Sequence, residues 1–208
     1  MNIPIFPLPI FLLPQGVTRL RIFEQRYLNM VKNAQNTNGF VISFYRNTMS
    51  DNIADKIAPW RSLVEIVNFT QGADGILIID VKCKSLVTIE STSVDDNNLL
   101  HGNVSVKPHW GDLLPIDALQ TLDFDVINVD ELSQQLNSVF TNNENLNSLY
   151  QQQYYENPRW VCARWLEILP LEFLDKSLFS EPDSFLQAAD FLNSIIVQKK
   201  TENIYFNM

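Results

Sequence analysis

Ser62-Leu63-Val64-Glu65-Ile66-Val67-Asn68-Phe69 and Ile76-Leu77-Ile78-Ile79-Asp80-Val81-Lys82-Cys83 stand on either side of Gln71-Gly72-Ala73-Asp74-Gly75. Two runs rich in branched and aromatic residues, separated by a short glycine-containing loop, predict a β-hairpin. Working outward, Leu86 to Val94 and Gly102 to Pro108 read as further strands, as do Phe40 to Tyr45 (FVISFY), Thr18 to Ile22 (TRLRI) and Ile3 to Phe6. TRLRI alternates polar and apolar residues, the period of a half-buried strand. About seven short strands with turn signals between them predict a small barrel or sandwich. One helix interrupts the set: from Phe23 to about Gln35, the residues Phe23, Tyr27, Met30, Val31 and Ala34 follow helical spacing. Glu24 suits its first turn and Asn38-Gly39 its end.

The second half changes character. Asp130 precedes Leu132, Leu136, Val139 and Phe140 at helical spacing; Glu144 to Tyr155 reads as a second helix stopped before Pro158. Arg159 to Leu169 places Val161, Trp165, Ile168 and Leu169 on one face. Pro170 is expected to start a short helix through Leu178, and Pro182 a last one carrying Phe185, Leu186, Ala189, Leu192 and Ile196 toward Lys199-Lys200. Charge divides at the same place. Residues 1–110 hold 10 Lys+Arg and 9 Asp+Glu, net +1; residues 111–208 hold 5 and 15, net −10; together they give the chain's −9. The fold class is therefore α+β, with a β-rich subdomain at 1–112 and a helical one at 113–208.

Much chemistry lacks its motif. The six glycines, at 16, 39, 72, 75, 102 and 111, form no phosphate-cradling loop ahead of a lysine. Neither a GxSxG turn nor an HExxH pair occurs. His101, His109, Cys83 and Cys162 are too scattered to predict a metal site. Asp95-Asp96 and Asp123 with Asp125 fall in polar segments, whereas a general acid needs a carboxyl raised by burial. Clustered basic residues for nucleic acid are missing. The apolar opening Ile3 to Pro14 is short, broken by four prolines and preceded by no basic residue, so neither a signal peptide nor a membrane span is expected. Two isolated cysteines fit a reducing, cytoplasmic setting.

Phe6-Pro7-Leu8, Leu13-Pro14-Gln15-Gly16 and Leu20-Arg21-Ile22-Phe23-Glu24-Gln25-Arg26-Tyr27 together resemble the opening signature of the Lon N-terminal domain family. Leu63 to Phe69 and Asp74 to Ile89 look like its paired strands, and Arg164 to Leu171 (RWLEILPL) with Lys176 resembles the helical tail of its free-standing members. The chain departs from the family at Gln15, Arg19, Cys83 and Leu86, where Gly, Pro, Gly and Arg are frequent. The resemblance implies a PUA-like β-barrel subdomain with one inserted helix, followed by a C-terminal helical bundle. It also implies a non-catalytic module that binds unfolded or extended polypeptide segments, with a separate protease or chaperone as a further partner. ATPase and peptidase domains are expected to be lacking, and no cofactor is implied. Any peptidase label would be inherited from the family name.

Five residues are contact candidates on this reading. Glu24 and Arg26, an adjacent acid and base, either line a peptide groove or hold the helix start. Tyr27 follows core spacing from Phe23. Trp60 and Trp110, beside strand ends next to Pro or Gly, suit interface anchors. Two rival readings stay open: an enzyme with an unrecognised site, and a PUA-like RNA binder using Arg19, Arg21, Arg46 and Arg61.

Overall fold

A computed structural model describes residues 1–34, 39–45, 57–110 and 129–198. The chain divides into two compact units, Met1–Lys107 and Pro108–Met208.

Six strands and one helix make the first unit: β1 (Asn2–Pro7), β2 (Val17–Ile22), α1 (Gln25–Ala34), β3 (Phe40–Tyr45), β4 (Ile57–Gln71), β5 (Leu77–Val94) and β6 (Leu100–Lys107). They form one sheet in the order β2-β5-β4-β3-β1-β6, and β5 also pairs with β6, so the pairings return to β5. Only β1 with β3 is parallel; the other pairings are antiparallel. The hairpin forms as read, with Gln71 opposite Leu77. Gly75 adopts φ 80° in its loop, where Asp74 Oδ1 accepts the Ile76 N–H at 3.1 Å.

Two of the expected strands are one. Residues 77–94 run on as β5 because Lys84-Ser85 contains no breaker. Val64 pairs with Cys83 and Leu63 with Ser85, leaving Lys84 as an extra residue. Such a bulge shifts the alternation and bends the strand, which is why the sequence looks like two strands meeting there. The first half of β5 lies between β2 and β4, and its second half pairs with β6.

Alternation puts Ile3, Ile5, Val41, Leu63, Val87 and Val104 into one apolar cluster. On the other face of β3 and β4, Phe40, Ile42 and Val64 are buried, as is Ser62, whose Oγ donates to the Leu12 carbonyl. Gly39 enters β3 at φ 96°, and a Cβ there would lie 1.9 Å from the Val64 carbonyl oxygen. Helix α1 buries Tyr27, Met30, Val31 and Ala34 as their spacing predicts. It starts at Gln25, so Phe23 precedes it and is exposed.

In the second unit the described helices are α2 (Val129–Asn142), α3 (Glu144–Asn147), α4 (Pro158–Ile168), α5 (Phe173–Phe179) and α6 (Phe185–Leu192), followed by a π-helical turn at Asn193–Gln198. The expected helix to Tyr155 stops at Asn147. Beyond it Tyr150 is buried against Phe140 and Trp160, and the polar run Gln151–Gln153 follows. Asn157 caps α4, accepting from the Arg159 and Trp160 N–H groups, with Pro158 in the first turn. Leu132, Leu136 and Phe140 of α2 are buried, and Trp165 of α4 donates from Nε1 to the Leu132 carbonyl at 2.9 Å. Arg164 is 1% exposed; its Nε and Nη2 bind Glu167 at 2.7 and 2.8 Å, and its guanidinium lies 5.5 Å from the Trp160 ring centre. Arg46, Asn38, Asp123, Asp125 and Lys199-Lys200 lie outside the described residues.

Candidate binding surface

The turn from β2 into α1 places Glu24, Arg26 and Tyr27 together. Arg26 donates from Nε to Glu24 Oε2 at 2.9 Å and from Nη1 to the Asn98 carbonyl at 3.2 Å. Its guanidinium stands 4.7 Å from the Tyr27 ring centre, and that ring lies 4.0 Å from Phe6. Arg26 thus ties the helix start to the β5–β6 turn, while its own side chain and Glu24 stay partly in water. Tyr27 is buried, and that burial pushes its hydroxyl pKa up. Sequence spacing marked Tyr27 as core, and it packs as core.

Both tryptophans named as contact candidates are inside their units. Trp60 is 1% exposed, edge-on to Phe11 at 5.3 Å and 5.4 Å from Phe44. Trp110 is 4% exposed, stacked on His109 at 4.5 Å, and donates to Ser184 Oγ at 3.1 Å. Neither ring is offered to a partner in this conformation. A neighbouring Pro or Gly marks a strand end, and strand ends also get covered.

The apolar side chains left in water are different ones. Phe23 is 70% exposed, Phe69 63% and Val67 40%. The register gathers them at one end of the sheet. Ile22, Leu77 and Gln71 form the row beside the hairpin loop, Phe69 sits two residues in from Gln71, and Phe23 follows Ile22. Val67 is the extra residue of a second bulge, between Ile66 opposite Val81 and Asn68 opposite Asp80. Sequence reading assigned Phe23 to the helix stripe and Phe69 to the end of a hairpin strand. The signal it missed is that both lie where the hairpin outruns the core beneath it.

Charge on the opposite face of this sheet end is internally matched. Arg19 holds Asp80 through Nε at 2.7 Å and Nη2 at 3.0 Å, and Asn68 adds a third donor at 3.2 Å. These bonds keep the Asp80 carboxyl below its ordinary range. Arg21 binds Asp74. Two of the four arginines proposed for RNA are thus tied to carboxylates.

In the second unit a cavity of about 490 Å³ is lined by Tyr154, Tyr155, Asn157, Pro158 and Arg159, among others. It offers rings, amides, the Glu156 carboxylate and one guanidinium. Among the described residues no group of three or more His, Cys, Asp or Glu could hold a metal ion. His109 Nε2 lies 3.1 Å from the Phe179 carbonyl, and His101 lies 3.2 Å from Asp95. Asp95 accepts the Leu99 and Asn97 N–H groups, which pull its pKa down, the reverse of what a general acid needs. Burial pushes the Cys162 thiol up to about 12, which leaves it a poor nucleophile. No described helix is long and apolar enough to cross a membrane.

The family model for the ATP-dependent protease La (LON) substrate-binding domain matches residues 2–181. The chain belongs to that family. Among solved structures, a Lon N-terminal domain protein from Xanthomonas campestris is 25% identical, with a TM-score of 0.61 over 90% of this chain and 95% of that one. The N-terminal domain of the Lon protease of the Mycobacterium avium complex, at 13% identity and a TM-score of 0.60, shares the fold over 93% of this chain and 97% of its own. No curated protein matches the chain significantly. The mixed α+β architecture, with its six-stranded sheet and several helices, is the Lon N-terminal domain fold, and the signature at Phe6 to Tyr27 lies inside the matched region.

Proposed function

We propose that this member of the Lon substrate-binding family is a non-catalytic module that holds unfolded or extended polypeptide segments. The observation that carries the reading is the set of apolar side chains, Phe23, Phe69 and Val67, kept in water at one end of the sheet. Fully burying a phenylalanine is worth roughly 1.5–3 kcal/mol, so two exposed rings are a ready source of affinity for apolar side chains of another chain. They flank β5, whose outer neighbour β2 pairs with no other described strand. An extended segment can hydrogen-bond along β2 beside Phe23, and the chain continuing past that end of the sheet can cover Phe69. Glu24 and Arg26, partly exposed next to Phe23, form the polar rim of this surface; Tyr27, Trp60 and Trp110 support it or the second unit from within.

The finer architecture follows the same reading. The returning ring of strand pairings supports a PUA-like barrel, and the helices between 129 and 198 support a bundle, with the boundary near residue 112. Hydrolysis would fall to a separate protease, and the two buried thiols, joined in no disulfide, suit a cytoplasmic location.

A pulldown with a permanently unfolded, carboxymethylated model protein tests this. The chain is expected to be retained well above an unrelated acidic control, and Phe23→Ser with Phe69→Ser to lose most of that retention. Equal retention of chain and control would overturn it.

A further inference from the structure

Of the five large apolar side chains left exposed among the described residues of the second unit, four fall between residues 168 and 186: Ile168, Leu174, Leu178 and Leu186. Leu174 and Leu178 stand one turn apart on one face of α5, 78% and 41% exposed. Leu186 is 40% exposed on α6, whose buried side chains are Phe185, Ala188, Ala189 and Leu192. The two helices touch, with the Phe179 and Phe191 rings 5.1 Å apart. One exposed leucine is ordinary on a folded chain, but several on one pair of helices mark a contact surface.

The charges among these leucines carry one sign. From Leu169 to Leu192 the chain has five acids, Glu172, Asp175, Glu181, Asp183 and Asp190, against the single base Lys176. Asp175 follows Leu174 directly. Asp190 is exposed one turn on from Leu186, and Asp183 is exposed just ahead of α6. A second copy of this face would be repelled by the same charges, and so would an anionic membrane. Helices offer side chains and no open strand edge, which suits a partner helix rather than an added strand. We propose that α5 and α6 dock a basic amphipathic helix of a partner protein, its apolar stripe on Leu174, Leu178 and Leu186 and its Lys or Arg side chains beside Asp175, Asp183 and Asp190. The site lies wholly within the second unit and stands apart from the sheet end that takes unfolded segments.

The test is fluorescence anisotropy of a labelled peptide of Leu and Lys, its leucines at helical spacing, titrated with the full chain. Two control peptides carry Glu for every Lys, or the same Leu and Lys shuffled so that no apolar stripe forms. The Lys helix is expected to bind, to gain helical circular dichroism on binding, and to weaken as sodium chloride is raised. Both controls are expected to bind at least about tenfold more weakly. Leu174→Ser with Leu178→Ser is expected to cost the Lys helix about tenfold or more, and Asp183→Asn with Asp190→Asn to weaken it and flatten its salt dependence. The charge variant keeps the test decisive if the leucine variant does not fold. Equal binding of either control peptide overturns the proposal, as does undiminished binding by the variants. A dimer of the chain that Leu174→Ser abolishes would give the face to a second copy and overturn it too. Phe23→Ser with Phe69→Ser is expected to bind the Lys helix like the wild type; loss there would show that the peptide sits on the sheet end instead.

Discussion

Asp80 shows how one side chain sets a pH limit. It is 6% exposed and takes two bonds from Arg19 and one from Asn68, so its folded pKa is lower than the unfolded value near 3.8. A depressed carboxyl contributes stability above its unfolded pKa and loses it as pH falls through the folded one. Urea unfolding of the wild type is therefore expected to lose stability below about pH 4, and Asp80→Asn to start less stable at neutral pH with a flatter acid limb. The Cys162 thiol works in the opposite sense. Cys162 is raised to about 12, so its contribution holds below the unfolded thiol value of 9.0 and is lost as pH rises above it. At pH 8 the folded chain is expected to give almost no reaction with a thiol reagent, and the unfolded chain two equivalents, for Cys83 and Cys162. Residue identity alone told core from surface for Tyr27, where helical spacing adds a second vote. It did not do so for Trp60 and Trp110, because an aromatic beside a turn reads the same whether the turn is covered or open.

Elements were legible wherever a breaker or a cap marked them. Gly72 and Gly75 punctuate the hairpin, and Asn157-Pro158 announces α4. Losing that cap through Asn157→Ala is expected to cost about 1 kcal/mol, read as a shift in the unfolding midpoint. Gly39→Ala is expected to cost more, roughly 3 kcal/mol, since the added Cβ would overlap the Val64 carbonyl at a positive φ. Within α4, Glu167→Ala leaves Arg164 buried beside Trp160 without its carboxylate; a loss of about 3 kcal/mol is expected by the same measurement. Bulges were not legible. Lys84 and Val67 each add one residue to a strand, and a single extra residue is invisible to a count of alternating positions until the partner strand is known. That is why one long strand looked like two, and why the face presented by Phe69 was missed.

At the scale of the whole molecule, charge and periodicity change near residue 110, the chain divides into compact units between Lys107 and Pro108, and the signature at Phe6 to Tyr27 foreshadows the family. The binding surface was less visible, because exposure depends on where the core ends, and the sequence does not carry that. The central claim is that an unfolded segment lies along β2 and covers Phe23 and Phe69. Hydrogen exchange of the chain with and without a saturating unfolded polypeptide tests it most directly. Slower exchange is expected for amides of residues 17–23 and 67–70, with the helices of the second unit unchanged; bound polypeptide with no added protection in those two segments would contradict the account.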